Sequence, residues 1–127
     1  MVRIPKVIGL TLCDHIDIDP HTGQFSLVGV FHARYFRQFP SPAVAFTVYA
    51  ALYGGRGEGT IEVKVNRAET ETDIYRLQKW FSLPSRQLVN AELKVKRCVF
   101  PEPGRYLISL RFDGQDLTTR FLDARRE

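Results

Sequence analysis

Apolar and polar residues alternate along most of this chain, in short runs divided by Gly, Pro and Asp. The cleanest run is 59–66, where Ile61, Val63 and Val65 share one parity and Thr60, Glu62, Lys64 and Asn66 the other. Successive strand side chains point to opposite faces, so a period of two predicts a strand with one face in the core. Residues 7–18, 43–53, 74–83 and 88–99 repeat the pattern, led by Leu10 and Leu12, Phe46 and Val48, Leu77 and Phe81, and Leu93 and Val95. Tyr106, Ile108, Leu110 and Phe112 give a further face, and Leu117, Thr119 and Phe121 the last, with 125–127 expected to fray. Residues 25–31 are apolar on both parities, which predicts a central strand, and Gly29 within it predicts a bulge or a close backbone approach. Asp14 falls on the parity of the leucines. A bend or a set of N–H donors is expected there, because an unpaired buried charge is very costly.

The breaks between runs carry turn chemistry. Asp113-Gly114 sits between two alternating runs and predicts a two-residue hairpin turn with positive φ at both positions. Residues 19–24, D-P-H-T-G-Q, predict a turn that makes the first two strands a hairpin-like unit. Residues 54–59, G-G-R-G-E-G, precede a strand rather than a helix and lack a Lys-Ser/Thr pair, so they read as a hairpin loop and not a phosphate loop. Gly104 followed by Tyr106 matches the tyrosine corner of immunoglobulin-like sandwiches. The expected fold is all-β: a single antiparallel, immunoglobulin-like β-sandwich of about eight strands, one domain over 1–127, with the 99–117 corner and hairpin at one edge.

The chain carries the pattern L-x-L-C-D (Leu10, Leu12, Cys13, Asp14), then D-P-x-T-G (Asp19, Pro20, Thr22, Gly23) and S-L-V-G-V-F (26–31). Phe39-Pro40 and F-x-E-P-G-x-Y (Phe100, Pro103, Gly104, Tyr106) complete it. In these the chain resembles a bacterial family of small β-sandwich proteins of unknown function. The resemblance implies a compact sandwich from a bacterial cytoplasm or a phage-like element, and it brings no catalytic residues.

Charge changes the picture little. Lys and Arg outnumber Asp and Glu by 18 to 14, for a formal charge of +4, but the basic residues are scattered. Cys13 and Cys98 show no metal-ligand spacing, and no signal peptide precedes the first strand, so a cytoplasmic protein with reduced thiols is expected. The longest apolar run, 43–53, is about half of what a membrane helix needs.

Candidate chemistry is thin. His15, Asp17, Asp19 and His21 hold the residue types of a zinc or calcium site, but same-face strand neighbours stand about 7 Å apart, so no metal is assigned. Cys13 and His15 share a parity without a nucleophile elbow around them, and a small buried thiol accounts better for Cys13. The segment 32–42 is the least strand-like of the first half. Its prolines suit a crossover, and its Arg34, Tyr35, Phe36, Arg37 and Phe39 are residue types enriched at protein interfaces. With Trp80 as an outlying member, these six form the expected partner-binding surface.

The expected function is therefore a non-enzymatic protein-binding or assembly module, homo-oligomeric or part of a larger bacterial or phage-like assembly. It needs no cofactor, and no membrane or small-molecule ligand is indicated. Nucleic-acid binding through scattered Arg and Lys is the alternative, with a metal-assisted hydrolase behind it.

Overall fold

The computed structural model describes residues 2–127 and holds ten strands among them. In chain order these are β1 (Lys6–Cys13), β2 (His15–Ile18), β3 (Phe25–Val28), β4 (Ala33–Phe36), β5 (Val44–Tyr53), β6 (Gly57–Arg67), β7 (Asp73–Leu83), β8 (Val89–Cys98), β9 (Gly104–Phe112) and β10 (Gln115–Arg126). They form a three-stranded sheet β1-β5-β8, a five-stranded sheet β4-β10-β9-β6-β7 and a two-stranded ribbon β2-β3. The chain is all-β, and every strand pair is antiparallel except β4 with β10, which is parallel.

Alternation places the core where the sequence predicts it. Ile61, Val63 and Val65 of β6 join Ile108 and Leu110 of β9, and Val48, Leu52, Leu93 and Val95 cover them from the three-stranded sheet. Each such side chain contributes roughly 1.5–3 kcal/mol by leaving water. The two sheets are also tied at their margins. Lys96 N–H donates to Tyr75 Oη (3.3 Å), and the Arg120 guanidinium donates to the Leu10 carbonyl (3.0 Å).

Two predicted devices are present in detail. Asp113 and Gly114 have φ of 48° and 79°, the primed turn that matches strand twist. Tyr106 is fully buried and its hydroxyl donates to the Glu102 carbonyl at 2.6 Å, closing the corner before β9. That corner does not lie at an edge, however, because β9 is the middle strand of five.

Other expectations need correction. The 7–18 run breaks at Asp14 into strands of different sheets, and the hairpin is made by β2 with β3. Residues 25–28 belong to that outlying ribbon rather than to a central strand, and Phe25 rests on Tyr49 (ring centroids 5.5 Å apart). The glycine-rich run 54–59 is no hairpin: 54–56 are a link and β6 begins at Gly57. That link carries the chain from β5 in one sheet to β6 in the other. Residues 33–36 do pair as a strand, since the prolines stand beyond them at 40 and 42. The final residues do not fray: β10 runs to Arg126, and Glu127 N–H donates to the Phe36 carbonyl (2.9 Å).

Gly29 meets its expectation. Its φ is +70°, and a Cβ there would stand 2.2 Å from Asp14 Oδ2. Asp14 itself sits at the bend with Arg34 as its ion-pair partner, so the out-of-place carboxylate is neither buried nor alone.

Candidate binding surface

β4 is an end strand of the five-stranded sheet, and its outward side chains stand free of the core. Tyr35 is 57% exposed and lies in register with Arg125, whose guanidinium reaches its hydroxyl at 3.5 Å. Arg37 is more open still, its side chain 90% exposed and held by Glu127 at 3.2 Å. A shallow cleft of about 520 Å³ opens beside them between Pro103, Arg105, Asp123, Arg125 and Arg126.

The six residues singled out from sequence divide by role. Phe36 and Phe39 pack edge to face (centroids 5.6 Å) against the core, and Phe36 continues onto Phe100 (5.8 Å). Arg34 turns away, its guanidinium 4.0 Å above the Phe31 ring and paired with Asp14. Tyr35 and Arg37 form the exposed rim. Trp80, 64% exposed on β7, belongs to the opposite edge of the sheet. Four strand spacings separate it from β4, about 19 Å, so it does not share a site with Tyr35.

Sequence reasoning missed a cluster on the outer face of that sheet. Glu62 was assigned outward by parity and does point outward, yet it is only 4% exposed. Its Oε2 accepts from Arg76 Nε and from Gln78 Nε2 (2.8 Å), and its Oε1 accepts from Arg111 Nη1 (3.2 Å). Arg76 and Gln78 come from β7 and Arg111 from β9, the two neighbours of β6. Burial pushes the carboxyl up, but the hydrogen bonds from Arg76 and Gln78 and the charges of Arg76 and Arg111 together hold it below the ordinary range. A carboxylate so low and so fully bonded makes a poor proton donor or base near neutral pH. The sequence carries the parts, a Glu on β6 and Arg residues on the same outward parity of β7 and β9, but not the strand order that brings them together.

Asp123 is held low in the same direction, first by its hydrogen bond from Arg105 (2.9 Å), which together with Arg125 (3.1 Å) outweighs the opposing effect of burial. Carboxyls lower in the folded than in the unfolded chain stabilise fully above the unfolded pKa and lose that contribution as pH falls through the folded one. The melting midpoint is therefore expected to stay level down to about pH 5 and to fall below it, with a shallower acid limb in Glu62→Gln/Asp123→Asn. Melts followed by circular dichroism across that range would check this, and equal acid limbs would refute it.

The other candidate groups are structural in their geometry. His15 Nε2 lies 3.3 Å from Asp17, and the Asp19 carboxylate caps its own turn by accepting from His21 N–H (2.8 Å). No three His, Cys, Asp or Glu side chains among the described residues are grouped to share an ion. Cys13 and Cys98 are free and fully buried. Burial pushes the Cys98 thiol up to about 12, and burial with Asp14 and Glu92 raises Cys13, so neither presents a thiolate near neutral pH. No helix among the described residues is long and apolar enough to cross a membrane.

No curated protein matches the chain. Among solved structures it is similar to that of the Pseudomonas fluorescens alkylpurine DNA glycosylase AlkC bound to DNA containing an abasic site analog. The TM-score is 0.52 and the identity 10%, and the match covers 91% of this chain and 30% of that one. At that identity the likeness concerns the fold. The sequence profile of DUF6941, a family of unknown function, matches residues 9–124. With nearly its whole length inside that match, the chain belongs to the DUF6941 family.

Proposed function

We propose that the chain is a non-enzymatic protein-binding module, acting by self-association or within a larger bacterial or phage-like assembly, and that the β4 rim is its contact surface. The observation that carries this reading is an end strand with Tyr35 and Arg37 exposed beside a cleft. An unpaired strand edge offers N–H and C=O groups to a partner strand, and Tyr and Arg are favoured at the centres of interfaces. The immunoglobulin-like arrangement of the two larger sheets is part of the same proposal, supported by the corner that Tyr106 closes.

Light scattering and pull-down with Tyr35→Ala/Arg37→Ala test it. The pair is expected to weaken association at least about tenfold while the melting midpoint moves by less than about 2 °C. Unchanged association, or an unfolded double variant, would place the contact elsewhere.

The alternative is nucleic-acid binding through the scattered Arg and Lys that give the chain its formal charge of +4. Against it, the arginines of the exposed sheet face already hold carboxylates, Arg105 on Asp123 and Arg111 on Glu62. That reading requires affinity for an oligonucleotide that drops steeply with salt.

A further inference from the structure

Three arginines border one groove at the end of the molecule where β1 begins. Arg3 precedes β1, Arg56 lies in the link from β5 to β6, and Arg86 in the turn from β7 to β8. They share a groove of about 220 Å³ with Tyr53, Gly54 and Ser85. Most arginines of this chain sit against a carboxylate, among them Arg34, Arg37, Arg76 and Arg125. Among the described residues, no Asp or Glu is an ion-pair partner of Arg3, Arg56 or Arg86.

Their placement is unfavourable without a counter-charge. Arg3 and Arg56 are directly opposite, the N–H of each donating to the carbonyl of the other at 2.8 and 3.1 Å. Such a pair projects both side chains to one side, with Cβ atoms about 5 Å apart, where like charges destabilise. Arg86 stands in the left-handed region at φ 59°, uncommon for its residue type. Backbone packing enforces the arrangement. Gly55 is buried so tightly that a Cβ would come 2.9 Å from Pro5 Cβ and 2.8 Å from Leu83 Cδ1. That contact joins the three segments on which the arginines ride.

We propose that this groove binds a phosphate group. A guanidinium presents paired N–H donors that match two phosphate oxygens, and phosphate has enough oxygens to engage three guanidiniums where a carboxylate has two. A phosphate monoester carries about −1.5 to −2 charge near pH 7, which offsets roughly half to two-thirds of the three positive charges. Binding then relieves the Arg3–Arg56 repulsion, so the ligand stabilises the fold by linkage.

Thermal melts in chloride and in inorganic phosphate of equal ionic strength test the proposal. About 10 mM phosphate is expected to raise the wild-type midpoint by about 4 °C, and that of Arg3→Gln/Arg56→Gln by less than about 1 °C. The double variant, which keeps the backbone bridge, is expected to melt in chloride at or above the wild type. Arg86→Gln leaves that bridge untouched and is expected to lose at least half of the phosphate response, which keeps the test alive if the double variant fails to fold. Calorimetric titration with a thymidine octanucleotide lacking a terminal phosphate assigns the source. Silence there together with a phosphate response means a free or terminal phosphate. Heat that vanishes in Arg86→Gln means a diester backbone, and either result supports the site. An equal rise with phosphate in wild type and variants would overturn it.

Discussion

Phe100→Ala is expected to lower stability by about 3–5 kcal/mol, the range for emptying an aromatic site in a packed core. The ring is fully buried between Tyr106 (centroids 4.9 Å) and Phe36 (5.8 Å). Its backbone is anchored as firmly: Phe100 N–H donates to Ser41 Oγ and its carbonyl accepts from Ser41 N–H, both at 2.9 Å. One residue thus joins the corner before β9, the crossover after β4 and the aromatic cluster under the β4 rim. With backbone fixed on both sides the site has little freedom to collapse, so the full cavity cost applies. Against a total stability of about 5–15 kcal/mol, this brings the domain near its unfolding threshold. Denaturant titration should show a lower midpoint at unchanged slope. A loss below about 1 kcal/mol would mean that neighbouring side chains refill the space.

Glu62→Ala comes second, at about 2–3 kcal/mol. Removing the carboxylate leaves Arg76 and Arg111 facing each other across β6 with no shared counter-ion. The upper end reported for buried pairs does not apply here. The Arg76 side chain is 59% exposed and can turn into water, and Arg111 keeps Asp116 at 3.0 Å. Glu62→Gln retains shape and one acceptor and is expected to cost about half as much. A double-mutant cycle with Arg111→Met separates the charge pairing from packing, and a coupling below about 0.5 kcal/mol would show the pairing to be energetically idle.

That cluster shows where sequence pattern stops. Period-two reading reports which face of a strand a residue takes, and it placed Ile61, Val63 and Val65 in the core and Glu62 on the outer face correctly. It does not report which strands are neighbours. Glu62 is buried by long side chains from β7 and β9, and only the sheet order brings those over it. The same gap explains the link at 54–56, since β5 and β6 are both clean strands but lie in different sheets. Local backbone chemistry was far more legible. Asp113-Gly114 and the Tyr106 corner need only adjacent residues, and both appear with the dihedral angles and hydrogen bond they imply. Segment 32–42 fell between these cases. Tyr35 and Arg37 stood out as interface residue types, while the strand beneath them depends on β10, which no local pattern reveals.

The parallel pairing of β4 with β10 also sets a clock. Ninety residues separate Arg37 from its partner Glu127, and the pairing of 33–36 with 123–126 spans a similar length. At a ribosomal rate of about 5–20 residues per second, β4 waits about 5–18 s for the strand it pairs with. Until then it is a loose segment with its backbone open to water, while β5, β6 and β7 are already available for pairing. The rim of Tyr35 and Arg37 that the proposed function uses is therefore completed only in chains in which β10 has been made, and nascent chains lack it.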